Sequence, residues 1–393
     1  MQNRFTTYFN VAQKNITLYK GDIPLSAYLK NYFASNKKHG STDRKQITHW
    51  CYCYYRLGKA LINISIDERM KVAFFLCNQH AKNYEHLFKE NWIANWSENI
   101  DDRIQFIKTI YTDFDVVNIF ETHHHIAFDI DKTAFIKAHL QQPNLFLRIR
   151  PTHNQTVKNK LNNQSILFKQ QSEDCLSLAN TTKVESVVDI NREVIVQDYS
   201  SQQVGELMQI VKDNLIQPIA LWDCCAASGG KTILAKDIIQ SLSITVSDVR
   251  ASIISNLRKR FEGAGVRAYQ SFIIDATKPI TTFNKKFNFI ICDVPCTGSG
   301  TWARTPEELY FFKEENITEF QNLQQQIALN TIQHLIVGGY FLYITCSVFS
   351  AENDDVVEKI MQQNNVELIE KKYFKGYTTQ ADTMFAALLK KTS

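Results

Sequence analysis

A chain of 393 residues exceeds one ordinary domain and points to two or three. Its composition, 44% hydrophobic and 21% charged, excludes a disordered or fibrous chain, and no run of about 18 apolar residues marks a membrane span, so no membrane partner is expected. A formal charge of +4 permits an RNA partner without arguing for one.

Nine cysteines, an odd number without a small-domain framework, read as reduced thiols of a cytoplasmic protein. Cys51-x-Cys53 and Cys224-Cys225 are too close for zinc-finger spacing, so no metal is expected. The opening MQNRFTTYFNVAQKN lacks the apolar stretch of a signal peptide.

Residues 1–135 read as an all-α domain. Apolar positions fill nearly every place from Ile47 to Ile62, as in a helix buried on several sides. Asp67 is the expected N-cap of the next helix, and Ile104, Ile107 and Tyr111 share one helical face further on. Residues 145–200 read as a small α+β unit, with short strands in LFLRIRP, VESVVDI and EVIVQDYS and a polar stretch between. From residue 205 to 393, strands and helices alternate as in a parallel α/β sheet. The expected strands are IALWDCCA, ITVSDV, SFIIDA, FNFIICDVP and GGYFLYITC, with TMFAALLKK as a late one.

Three signals carry chemistry. In LWDCCAASGGKT a strand ends at Asp223 and small residues turn the chain into a helix, letting backbone N–H groups approach a carboxylate or phosphate. Gly230-Lys231-Thr232 imitates a phosphate loop, but Cys225 sits where that loop needs its first glycine. Asp223, Asp248 and Asp275 end three successive strands, where a parallel sheet opens its ligand crevice. An acid about 20 residues past the glycine turn, as Asp248 is, suits ribose hydroxyls. Cys296 and Cys346 both follow apolar strands, in Gly- and Ser-rich turns where a thiolate can reach substrate. Two such cysteines above one site favour catalysis over a structural role.

The ordered set CAASGGKT, SDVRAS, DATKP, DVPCTGSG and TCSVFSAEND resembles the RNA cytosine-5 methyltransferases of the RsmB/NOP2/Sun group, from about Leu145 to the end. GSTDRKQITHWCYCYYRLGKAL more weakly resembles the NusB-like helical domain of bacterial small-subunit rRNA members, which implies RNA binding by residues 1–135. The resemblance implies an α/β Rossmann-like S-adenosylmethionine methyltransferase domain, preceded by a small α+β RNA-binding unit and the all-α domain. It implies that Cys225, Ala226, Ala227, Ser228, Gly229, Gly230 and Lys231 line the S-adenosyl-L-methionine site, and that Asp248 and Asp275 bind its ribose and adenine. It further implies that Asp293 lies beside the reacting base, that Cys346 is the nucleophile and that Cys296 helps release product. Lys231 is a candidate for raising local positive potential there.

The chain departs from the family pattern at Ser228, where proline is usual, at Val294, and at Ala303-Arg304, where the family has two basic residues. Arg148, Arg150, Lys158, Lys160 and Lys169 are candidate contacts to flanking RNA. A cytoplasmic monomer acting on 16S-type small-subunit rRNA, with no DNA partner, is the expectation. A tRNA enzyme, a DNA-type enzyme with Cys296 as nucleophile and a non-catalytic assembly factor are the alternatives.

Overall fold

The computed structural model describes residues 2–393. It opens with helices α1 (Gln2–Leu18), α2 (Leu25–Ser35), α3 (Ser41–Arg56), α4 (Ile66–Cys77), α5 (Glu90–Ala94), α6 (Ile100–Ile110) and α7 (Lys132–Ala138). Strand β1 (Leu145–Ile149), helix α8 (Asn154–Asn163), and strands β2 (Lys169–Ser172), β3 (Cys175–Leu178) and β4 (Val194–Val196) follow. These four strands form an antiparallel sheet in the order β2-β3-β1-β4.

Helices α9 (Tyr199–Gln203) and α10 (Gly205–Asn214) lead into β5 (Ile219–Asp223), α11 (Gly230–Ile238), β6 (Leu242–Asp248), α12 (Ala251–Gly263), β7 (Tyr269–Ile273) and β8 (Phe287–Asp293). Then come α13 (Pro306–Phe311), α14 (Glu315–Ile332), β9 (Leu335–Thr345), α15 (Asp354–Gln363), β10 (Val366–Lys375) and β11 (Thr383–Lys391). Their seven strands make one sheet in the order β10-β11-β9-β8-β5-β6-β7. β5 to β9 are parallel and β11 runs against both its neighbours. Strand order reverses at β5, which has β6 on one side and β8 on the other. A Rossmann-like sheet opens its ligand crevice at the carboxyl ends of the strands at such a point.

The chain divides into two compact units. The helical unit holds residues up to Ile126, Ile130–Gln142 and Thr301–Glu314. Its core is aromatic: Trp50 stacks on Phe74 with centroids 4.0 Å apart, and buried Trp302 stacks on Phe120 at 5.2 Å. Arg69 is buried with its guanidinium 4.3 Å from the Tyr54 ring centroid, and it donates to the carbonyls of Tyr54, Gly58 and Ala60. Burial lowers its pKa, and those three carbonyls replace water around the charge. The second unit holds Ala127–Asp129, Pro143–Gly300 and Glu315–Ser393, and contains both sheets.

Several expectations need correction. Residues 301–314 sit with the helices rather than with the 205–393 segment, because Trp302, Leu309, Tyr310 and Phe311 find partners there. The N-cap of α4 is Ser65, whose hydroxyl accepts from Glu68 N at 3.2 Å, and not Asp67. The helix expected over Ile47 to Ile62 ends at Arg56, since Gly58 and Leu61 take positive φ of 47° and 53°. VESVVDI is a turn whose valines reach the core singly, and the polar stretch after LFLRIRP is helix α8, held by Val157 and Leu161.

Candidate functional site

β5 is buried on both faces and delivers the chain to the crevice. Asp223 ends it wholly buried, accepting from Thr232 Oγ1 at 2.6 Å, with Oδ1 unpartnered. It braces the start of α11 from within and does not face a ligand. Burial pushes its pKa up to about 7, with the neighbouring acid Asp293 adding to the rise against Thr232. A carboxyl raised from its ordinary 3.8 binds a proton in the folded state that the unfolded chain has released. Stability is therefore greatest below about pH 4 from this group and is lost as pH rises towards about 7, by on the order of a few kcal/mol. Asp223→Asn, neutral throughout, is expected to flatten thermal midpoint against pH over this window. Parallel profiles for variant and parent would show that Asp223 ionises freely.

The turn after Asp223 needs a left-handed backbone. Ala227 has φ 44° and Gly229 φ 78°, and a Cβ on Gly229 would lie 2.4 Å from the Phe261 ring. Ala226 N donates to Ser247 O and Ala227 N to Asp248 Oδ2 at 3.2 Å, so the turn is stitched to the end of β6. Ser228 keeps the turn pinned where proline is usual in the resembled family: its hydroxyl accepts from Arg260 Nη1 at 2.6 Å. Cys225 is half-buried, and its thiol is raised by the hydrogen bond with Cys224 and by burial. Gly230 and Lys231 begin α11, whose first turn offers N–H groups without helical partners.

Asp248 is buried and accepts from Arg250 N at 3.0 Å and Arg250 Nε at 3.1 Å as well as from Ala227. Asp275 is more open; it accepts from Thr277 Oγ1 at 2.6 Å and pairs with Lys278 at 3.1 Å, and these contacts hold its pKa down. Lys231 is buried, 3.2 Å from Asp293 Oδ2 and donating to Ser201 Oγ at 2.8 Å. This pair leaves the Asp293 side chain 30% exposed at the end of β8.

The two cysteines meet. β8 and β9 are parallel neighbours, paired Asp293 to Ile344, so the turns beyond them lie side by side. Cys296 Sγ is 3.3 Å from Cys346 Sγ, and both are free, half-buried thiols. The contact with Cys346 and then burial raise the Cys296 pKa. Gly300 N donates to Cys346 O at 2.9 Å, and a Cβ at Gly300 would strike Thr383 O at 2.0 Å.

Beneath both turns lies a carboxylate that sequence reasoning missed. Glu352 is fully buried; Oε1 accepts from Thr297 Oγ1 and Ser347 Oγ, each at 2.5 Å. Oε2 accepts from Thr297 N at 2.9 Å and Gln324 Nε2 at 2.8 Å. Thr297 follows Cys296 and Ser347 follows Cys346, so one carboxylate ties the residue after each thiol. The acid in SAEND was the available signal.

The basic residues divide differently from expectation. Arg148 and Arg150 are not free to hold RNA: both pair with buried Asp237, at 2.6 and 2.7 Å. Arg148 also donates to Gln197 and Arg150 to Ala264 O, so the pair joins the small sheet to α11 and α12 inside this unit. Lys160 pairs with Glu193 at 2.7 Å, half-buried Lys158 donates to Gln170 Oε1 at 3.0 Å, and Lys169 is exposed.

Residues 214–390 match the family model described as 16S rRNA methyltransferase RsmB/F. This stretch, a little under half of the chain, is similar to the RsmB/F methyltransferases. A probable ribosomal RNA small subunit methyltransferase B of Bacillus subtilis is 27% identical over 195 residues, covering 49% of this chain and 42% of that protein. Ribosomal RNA small subunit methyltransferase B of Cronobacter sakazakii is 27% identical over 254 residues, covering 63% and 57%. The chain thus spans about half the length of the curated relatives it matches. A methyltransferase homologue from Pyrococcus horikoshii shares the fold with TM-score 0.58 at 19% identity, over 72% of this chain and 98% of its own. Among the described residues, no helix is long and apolar enough to cross a membrane.

Proposed function

We propose that this protein transfers a methyl group to C5 of a cytosine in RNA, through a transient bond between Cys346 and C6 of the base. The observation that carries this reading is the pair of thiols 3.3 Å apart at the carboxyl ends of two adjacent parallel strands, beside Asp293.

Cytosine C5 is a poor nucleophile. Addition of the Cys346 thiolate at C6 makes the ring enamine-like and lets C5 attack an electrophilic methyl. Asp293, poised by Lys231, holds N3 or the 4-amino group as electron density moves onto the ring. The C5 proton then leaves and the C6–S bond breaks, which needs an acid–base group within reach of the adduct. Cys296 is close enough to serve. The target base must be unstacked to enter, which suits single-stranded RNA.

The donor set fits S-adenosylmethionine: N–H groups at the start of α11 for its carboxylate, Asp248 for ribose hydroxyls and Asp275 for the adenine amine. When bound, it supplies the sulfonium methyl. Cys225 to Lys231 form the wall of this site, and Asp293 stands between it and the base. The small-subunit rRNA names of the relatives support an rRNA substrate for this chain, acting in the cytoplasm. Residues 1–135 and the small four-stranded sheet are the RNA-binding parts in this reading.

Asp248→Ala removes one or two hydrogen bonds to the ribose, each about 0.5–1.5 kcal/mol, so S-adenosylmethionine affinity is expected to drop about tenfold. Calorimetry that finds ATP bound well and S-adenosylmethionine not at all would remove the cofactor assignment. Bisulfite sequencing of rRNA and tRNA from a deletion strain tests the substrate, and loss of a tRNA mark alone would move the assignment to tRNA.

A further inference from the structure

The helical unit contains a second cluster of reactive groups, unrelated to the thiol site. His123–His125 form a short 3-10 turn, and Glu314 ends the segment 301–314 that completes the same unit. One oxygen of Glu314, Oε1, lies 2.6 Å from His125 Nε2 and 3.2 Å from His124 Nε2. The two imidazoles are tilted by 40° with centroids 4.1 Å apart, so their Nε2 atoms converge rather than splay. All three donor atoms lie within 4.8 Å of one another.

We propose that His124, His125 and Glu314 form a binding site for a divalent transition metal, with zinc as the best fit. In a tetrahedral zinc site, metal–nitrogen and metal–oxygen distances of about 2.0–2.2 Å put neighbouring donor atoms roughly 3.4 Å apart. The observed separations from the Glu314 oxygen, 2.6 and 3.2 Å, both fall short of that value by less than 1 Å, so side-chain rotations that open the cluster slightly admit the ion. Two imidazole nitrogens and one carboxylate select zinc, copper or nickel over calcium or magnesium, which prefer all-oxygen shells. His124 and Glu314 are more than half exposed, which gives the ion a path in and leaves water for a fourth position. His123 lies outside the cluster of donor atoms that come within 4.8 Å of one another.

The bound ion ties residues far apart in sequence. It fixes the end of the 301–314 segment to the 123–125 turn and stabilises a discontinuous unit at the point where its last segment leaves. Metal bound to the folded form alone stabilises it by mass action.

The test uses the full chain after removal of metal with a chelator. Cobalt(II) is expected to bind one ion per chain with visible bands of a nitrogen–oxygen site and no thiolate charge-transfer band. Zinc is expected to displace it. His125→Ala and Glu314→Gln are each expected to weaken zinc by at least about tenfold, and His123→Ala to leave it unchanged. Hydrogen exchange in residues 301–314 is expected to slow when zinc is added. Cobalt spectra dominated by thiolate charge transfer, or zinc affinity unchanged in Glu314→Gln, would overturn the proposal.

Discussion

Cys346→Ala is expected to abolish methyl transfer and to leave no covalent RNA complex, whereas Cys296→Ala is expected to trap one. The difference follows from the order of bond making. The C6–S bond forms first, and without the Cys346 sulfur the ring never becomes nucleophilic at C5. The group needed to expel that sulfur acts after the methyl has moved. With Cys296 absent, the methylated adduct accumulates as a denaturant-resistant band that runs slowly on a gel. Because the thiols are 3.3 Å apart, either could in principle reach C6, so the experiment also decides which does. An adduct in Cys346→Ala and none in Cys296→Ala would exchange the roles and favour the DNA-type chemistry. No adduct in either variant, with no activity in the parent, would favour a non-catalytic assembly factor.

Glu352→Ala is expected to cost both activity and fold stability, and Glu352→Gln to cost much less. The carboxylate accepts from four donors and is fully buried. Removing it strands buried donors at roughly 1–3 kcal/mol each, enough to destabilise by several kcal/mol and to free both cysteine turns. Glutamine restores most of the network. Its carbonyl takes the two N–H donors, and its amide donates to the Thr297 and Ser347 hydroxyls, which accept as readily as they donate. Turnover is expected to fall more than tenfold in the alanine variant, with S-adenosylmethionine affinity nearly kept, since Asp248 and the start of α11 are untouched. Equal turnover in the alanine variant and the parent would mean that Glu352 does not position the thiols.

The strands that build the site were legible because they are buried on both faces, which makes FNFIIC and YFLYIT continuous apolar runs. The two cysteines stood out because each follows such a run at a turn. β10 was not legible: VELIEKKYFK is an exposed edge strand rich in Lys and Glu, and only its pairing with β11 defines it. The Arg148 and Arg150 assignment failed for a related reason. Their partner Asp237 lies almost 90 residues away on α11, and sequence alone offers no sign of which charges meet. Glu352 was hidden likewise, since its four donors come from three separate stretches of chain.

The discontinuity of the helical unit bears on the order in which the protein is made. Trp302 and Glu307 are structural parts of that unit, one stacked on Phe120 and the other accepting from Leu25 N at 2.9 Å. Both emerge from the ribosome only after everything from Pro143 to Gly300 has done so. The helices made first therefore wait with an open core, whereas domains usually fold as they emerge, N-terminal end first. A nascent chain stalled after residue 142 is expected to be protease-sensitive in its helices, and one that has fully exposed Glu314 to be resistant. Equal protection of the two would mean that the early helices close their core without the late segment. If they do not, this chain depends for longer than most on whatever shields exposed apolar surface during synthesis.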